Sequence, residues 1–465
     1  MKKFLVFILV FAVALCPMYL LSAVAAGDFI VEDGVLLSFT GLTTTVTIPE
    51  DVYYISDGAF KDNTNIKKVN IHDGVKIIGN EAFYGCTALK EVNGGESVSF
   101  VGAYAFYNTP YFNDNNSALI TLGSVILGGS GKAQLTISEN IDMIAPYAFA
   151  ENTSITSFTA SDSLKTIGEG AFYRCSNLSD VNINDSVSYI GALAFNGTKF
   201  IADSDDFVVV GNGYLLQYNG ENTSVEIPET VKHITGGAFY SNTHIKEVDI
   251  PKGVSSVGDR AFMNCSKLSA VNLPESLVVL GKEAFARCKA LKSVTVPKSV
   301  ELMGESMFYG CTSLESAKIE ASVNIPKGTF TGCSALAYAK VPQNITLIGD
   351  SAFLNCSALT DLSLSDTIAD IGSDAFSGAD NLTVSCLKTS FVYEYCVDNN
   401  INAMQCGDAN LDGKVNIRDA TYIQKHVASI IKMSELEILR AETNFDGKIN
   451  VRDATYIQKL LAGLV

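Results

Sequence analysis

The stretch Val254-Ser255-Ser256-Val257-Gly258-Asp259-Arg260-Ala261-Phe262-Met263-Asn264-Cys265-Ser266-Lys267-Leu268-Ser269-Ala270-Val271-Asn272-Leu273-Pro274 carries the pattern that decides the fold. Its apolar places return in register along most of the chain, while the places between them vary and stay polar. The Phe alone marks the period. Phe60, Phe83, Phe106, Phe149, Phe172, Phe195, Phe239, Phe262, Phe285, Phe308, Phe330, Phe353 and Phe376 follow at steps of 23 residues, apart from one of 22 and two of 43 and 44. A unit this short cannot enclose a core of its own and buries its apolar face only against its neighbours. Leu291 to Val296 alternates apolar and polar residues, which predicts short strands. Stacked strands lie about 4.8 Å apart, with the Phe rings piled inside the coil. Gly258 and Gly281 read as tight bends, and Pro251, Pro274 and Pro297 follow strands where a missing N–H does no harm.

The two long steps each hold an inserted segment, residues 112–129 and 207–220. Both contain apolar runs on either side of a Gly-bearing turn, as does Phe29 to Leu37 at the start. These read as β-hairpins, the first of them capping the exposed end of the stack.

The repeating unit resembles the BspA-type bacterial leucine-rich repeat, with its Ile-Gly, Ala-Phe, Cys, Leu and Ile-Pro places, in thirteen copies over roughly residues 28 to 400. The resemblance implies a curved right-handed solenoid, on secreted or cell-surface proteins associated with adhesion and protein binding. It implies no single activity.

Seven cysteines sit three residues after a repeat Phe: Cys86, Cys175, Cys265, Cys288, Cys311, Cys333 and Cys356. A thiol there behaves as a small buried hydrophobe, and a stacked ladder aims neighbouring sulfurs in parallel, poor geometry for a bridge. Free thiols are therefore expected, the more so because other copies hold residues such as Asn at the same place and need no bridging partner. Cys386, Cys396 and Cys406 lie outside the pattern, and one pair among them is able to bridge; the spacing does not say which.

From Cys406 the periodicity changes. Asp408, Asn410, Asp412, Asn416 and Asp419 place oxygen donors at 1, 3, 5, 9 and 12 of a loop, with Gly413 at 6 and the Lys414 carbonyl at 7. This is the spacing with which a loop surrounds calcium, a hard cation that takes six to eight oxygens. Glu442, Asn444, Asp446, Lys448, Asn450 and Asp453 repeat it 34 residues later, with the longer Glu442 at place 1. Each loop runs into nearly the same helix, Ala420 to Lys425 and Ala454 to Lys459. Ile423, Val427 and Ile430 form one apolar stripe, and Ile457, Leu460, Leu461 and Leu464 the other. Ser434 and Glu437 read as a capping box for a short linking helix.

This duplicated loop–helix resembles a type I dockerin over residues 406 to 465. The resemblance implies two Ca2+ ions and docking onto a cohesin of a scaffoldin. Its cohesin-contacting places fall on Ile417, Arg418, Gln424 and Lys425, and on Val451, Arg452, Gln458 and Lys459. The usual Ser-Thr pair at the first two places is here Ile-Arg and Val-Arg, which bears on the cohesin type. Near-identity of the two copies implies that either helix can face the cohesin.

Composition narrows the function classes. Of the 465 residues 47% are hydrophobic and 18% charged, with a net charge of −17, no Trp and four His. Such an acidic chain does not neutralise phosphates, which argues against nucleic acid. Few His thin the supply of catalytic bases. Residues 408–465 are balanced in charge, so the acidity lies on the repeats. Lys2 and Lys3, the apolar run from Phe4 and the small residues Ala23 to Ala26 read as a signal peptide, and nothing after it is apolar and long enough to span a membrane.

The expected chain is thus a signal peptide (1–26), a β-rich leucine-rich repeat solenoid of about thirteen 23-residue repeats with hairpin insertions (28–400), and a small all-α calcium-binding dockerin (406–465). The expected protein is secreted and non-catalytic, held on a cellulosome or cell-surface scaffold for polysaccharide breakdown, its repeats binding a protein or glycan through polar strand residues such as Asn182, Asp249, Asn272 and Thr295. Two alternatives stand: a polysaccharide hydrolase, which would need paired carboxylates in a cleft, and a cell-surface adhesin anchored by its tail.

Overall fold

The structure is a computed structural model that describes residues 24–26, 28–444 and 448–464. All of the expected signal but Val24–Ala26, together with Cys16 and Asp446, lies outside the described residues. Val24–Ala26 pairs antiparallel with Phe29–Glu32. The chain divides into two compact units, one ending at residue 116 and including 120–125, the other made of 117–119 and 126 to the C-terminus. The repeats form a β-solenoid of about 16 turns, with a few helices towards the C-terminus.

In the first unit two parallel ladders run side by side. Thr45–Thr47, Lys68–Ile71 and Glu91–Gly94 build one, and Tyr54–Ile55, Ile77–Ile78 and Phe100–Val101 the other. Alternate residues point inward, so Val46, Val69, Ile55 and Ile78 are buried while Thr45, Thr47 and Glu91 face water. A third edge is held by single hydrogen bonds, such as Phe60 N–H to the Ala82 carbonyl at 2.8 Å. Behind it the rings of Phe60, Phe83 and Phe106 stack at 4.7 and 5.0 Å between centroids.

The second unit repeats this plan from Gln134–Thr136 to Thr383–Cys386, and Phe239 to Phe376 form an unbroken stack at 4.6–5.8 Å. The named polar residues Asn182, Asp249, Asn272 and Thr295 are exposed on strands of three separate parallel sheets. Among the described residues no helix is long and apolar enough to cross a membrane.

The hairpins are part of the coil rather than additions to it. Phe29–Glu32 pairs antiparallel with Val35–Phe39, which then pairs parallel with Tyr54–Ile55. Phe207–Val210 and Tyr214–Tyr218 do the same before His233–Ile234. Two of the returning strands supply an aromatic at the head of the next ring stack: Phe39 lies 5.3 Å from Phe60, and Tyr218 5.3 Å from Phe239. The third hairpin, inside the 44-residue step, thus opens its stack with Tyr218, whereas the second returns through Val125–Gly128 without an aromatic. Short helices α1 (Pro110–Asn113) and α2 (Lys199–Ala202), capped by Thr109 and Thr198, precede the second and third hairpins.

Gly258 and Gly281 are required for a reason other than a bend. Neither has the left-handed backbone; a Cβ on Gly258 would stand 2.5 Å from the Gly236 nitrogen, and one on Gly281 2.6 Å from that of Asp259. Adjacent turns touch backbone to backbone there. The left-handed bend falls two residues later, on Arg260 (φ 56°) and Glu283 (φ 54°).

All ten described cysteines are buried and unbridged, Cys386, Cys396 and Cys406 included. The ladder thiols do more than fill space. Each donates to the carbonyl of the Phe one turn back, as from Cys86 to Phe60 at 3.0 Å and from Cys265 to Phe239 at 3.1 Å. The Asn copies make hydrogen bonds of a different reach. Asn63, Asn152 and Asn242 follow the three hairpins, and their longer amides reach the hairpin backbone at Gly41, Gly129 and Gly220. Their Oδ1 atoms accept from amides two or three residues further on, for instance those of Ser154, Ile66 and Ile245.

Candidate functional site

After α3 (Phe391–Asp398), strand Asn402–Gln405 pairs parallel with Thr383–Cys386 and continues the solenoid ladder to within three residues of Asp408. Three helices follow: α4 (Ile417–Val427), α5 (Glu435–Ala441) and α6 (Val451–Leu461). The small core between them is Ala409, Ala420, Ile423, Met433, Ala441, Ala454 and Ile457.

The first loop folds its acids inward. Asp408 is 1% exposed and Asp419 wholly buried. Asp408 accepts from the amides of Asp412 (3.0 Å) and Gly413 (2.9 Å), and Asn410 from Asp412 (2.9 Å). Asp412 accepts from the Lys414 amide at 3.0 Å, and Asp419 from the amides of Asn410 and Asn416. Gly413, at φ +81°, makes the turn in open space. Asn416 and Asp419 serve twice, because they also form the capping box of α4. Burial, with the charges of Asp408 and Asp412, raises the pKa of Asp419.

The second loop has the same frame. Asp453 is wholly buried and accepts from the amides of Thr443 (3.0 Å) and Asn450 (2.9 Å). Asn450 caps α6 as Asn416 caps α4, and each donates to the carbonyl two residues back, that of Lys448 or Lys414. Glu442 is 8% exposed and Asn444 half-buried.

Among the described residues Asp, Glu, His and Cys alone do not gather in threes as a ready metal cage. The donor set is mixed carboxylate, amide and backbone oxygen. That mixture is what calcium accepts. Buried like charges around Asp408 and Asp419 are also what a dication offsets, so the residues fit the ion.

Residues Ile417, Arg418, Gln424 and Lys425 are all exposed on α4, as are Val451, Arg452, Gln458 and Lys459 on α6. The apolar stripes differ from expectation. Only Ile423 and Ile457 enter the core; Val427 (40% exposed), Ile430 (71%), Leu461 (48%) and Leu464 (73%) face water, and Leu460 is half-buried. Core room is filled instead by Ala409, Ala441 and Met433, so the outer part of each stripe is left as surface.

One residue that the motifs do not single out joins the module to the ladder. Arg440 of α5 pairs with Asp361 of strand Asp361–Ser363, and its carbonyl accepts from the Gly407 amide.

A parallel β-solenoid with a twin-loop helical module at its end defines the class. The family model of the BspA type Leucine rich repeat region matches residues 37–121, 112–202, 212–337 and 323–408, and the chain belongs to that family. The Dockerin type I domain model matches residues 406–462. Neither kind of domain is catalytic. The chain is similar to a leucine-rich repeat protein from Eubacterium ventriosum (22% identity, 75% of this chain and 89% of that one, TM-score 0.35). It is also similar to a leucine rich cell surface protein from Faecalibacterium prausnitzii (26%, 69% and 94%, TM-score 0.33) and to a leucine-rich repeat protein from Bacteroides ovatus (21%, 84% and 100%, TM-score 0.36). No curated protein was found to match the sequence. A type I dockerin implies cohesin docking in a cellulosome-like assembly, is of a calcium-binding kind, and the repeats suggest binding.

Proposed function

We propose that the protein is a secreted, non-catalytic binding protein, with a solenoid (28–400) that holds a protein or glycan and a dockerin (406–465) that fastens it to a scaffoldin cohesin. Each dockerin loop takes one calcium ion: Asp408, Asn410, Asp412, Lys414, Asn416 and Asp419 hold the first, and Glu442, Asn444, Asp446, Lys448, Asn450 and Asp453 the second. The ion supplies charge that draws the buried carboxylates together, which fixes each loop against the helix it starts.

The observation that carries this reading is the matched exposure of the two copies. Ile417 and Val451 are 56% and 57% exposed, and the exposed pairs Val427 with Leu461 and Ile430 with Leu464 follow the same 34-residue shift. Apolar side chains left on a surface twice, in register, mark a face that meets a partner. Flanking Arg418, Lys425, Arg452 and Lys459 give it a basic rim. The repeats in front supply a long polar strand face on a scaffold of non-catalytic kind.

Cohesin capture by the full chain tests this. Ile417→Asp or Val451→Asp alone leaves capture within about threefold, because the other helix takes over, and the pair together abolishes it. Equal loss from either single change would mean one binding mode. Capture surviving the pair would refute the assignment of this face.

A further inference from the structure

Arg440 stands between two carboxylates that belong to different parts of the second unit. One Nη lies 2.5 Å from Oδ1 of Asp361, on the solenoid ladder, and the other 3.7 Å from Oδ2 of Asp408, at place 1 of the first loop. The guanidinium is 14% exposed, Asp361 16% and Asp408 1%. Met404 Sδ lies 3.4 Å from the second nitrogen, and the Gly407 amide donates to the Arg440 carbonyl at 2.9 Å. The guanidinium is therefore held in place from several sides.

One cation divided between two half-dry carboxylates has a definite consequence for the loop. Charge interactions are strong where water is scarce. A guanidinium that moves fully onto Asp408 competes with any cation for that oxygen. A guanidinium held by Asp361 leaves Asp408 to its loop and has its own charge balanced. The arginine itself is not repeated: the residue 34 places before Arg440 is Cys406.

We propose that Asp361, outside the dockerin, is a positioning residue for the first calcium site: by holding Arg440 it keeps Asp408 available, and it thereby couples occupancy of the first loop to seating of the module on the last solenoid turns. This rests on the calcium reading above.

Calorimetric titration of the full chain with calcium chloride tests it. The wild type shows two binding events. Asp361→Asn weakens one of them about fivefold or more and leaves the other unchanged. Adding Arg440→Met to Asp361→Asn restores the weakened site, because the competing cation is gone. Should Arg440→Met not fold, Arg440→Lys replaces it and the loss on Asp361→Asn shrinks. Two unchanged events in Asp361→Asn, or a loss that persists in the double variant, overturn the coupling and leave the calcium sites standing. No calcium binding by the wild type overturns the calcium reading itself and this proposal with it.

Discussion

The thiol of Cys288 donates to the carbonyl oxygen of Phe262 at 3.1 Å, across 26 residues of sequence and one turn of the solenoid. The same carbonyl accepts the Cys265 amide of its own turn. Each rung is therefore tied to the one before it at a place sheltered from water. Cys288→Ala removes a hydrogen bond and leaves a small void, and is expected to destabilise by about 1–2 kcal/mol, read as a lowered denaturant midpoint. Ellman's reagent should find the native ladder thiols unreactive and the denatured ones available.

Burial also sets the response to pH. The Cys265 thiol is pushed from 9.0 up to about 12. A raised folded pKa means that the protonated thiol contributes fully below pH 9, and that this contribution is lost as pH rises from about 9 towards 12. His233 goes the other way: burial, with Lys232 beside it, lowers it from 6.5 to about 4. Its contribution is present above about pH 6.5 and is lost as pH falls towards 4. Thermal melts across pH 3–11 should show a plateau with losses at both ends. Cys265→Ala should blunt the alkaline loss, and His233→Gln the acid one.

Asn152 holds the hairpin side of its rung through Ser130 at 2.8 Å and Gly129 at 3.4 Å. Asn152→Ala is expected to destabilise by about 1–3 kcal/mol. Asn152→Cys should not rescue it, although Cys fits the same place elsewhere, because a thiol does not span to the hairpin backbone. Equal stability of Asn152→Cys and wild type in urea unfolding would contradict this.

Gly281→Ala would push a methyl against the Asp259 nitrogen and the Gly258 carbonyl carbon, both 2.6 Å from a Cβ. Backbone on a neighbouring turn does not swing aside as a side chain does. A loss of about 2–3 kcal/mol is expected by chemical denaturation. Gly253→Ala, with nothing nearer than 3.9 Å, is the matched control and should lie near zero.

How far the sequence discloses all this depends on how often a constraint recurs. The Phe stack is legible because thirteen copies obey one rule, and the loop spacing because two copies do. Asn63, Asn152 and Asn242 look like neutral exchanges for Cys until the hairpin backbone beside them is seen. Val427, Ile430, Leu461 and Leu464 keep helical spacing with Ile423 and Ile457, and spacing alone cannot tell a core from a face awaiting a partner. The pairing of Arg440 with Asp361 spans 79 residues and belongs to no motif. It exists only because the last ladder strand delivers the dockerin to the end of the solenoid.

The most direct check is the affinity of the full chain for a type I cohesin on a sensor surface, in millimolar calcium and again after excess chelator. The account predicts saturable binding that falls at least a hundredfold on chelation and returns when calcium is restored. Binding of equal strength with and without the ion would contradict it.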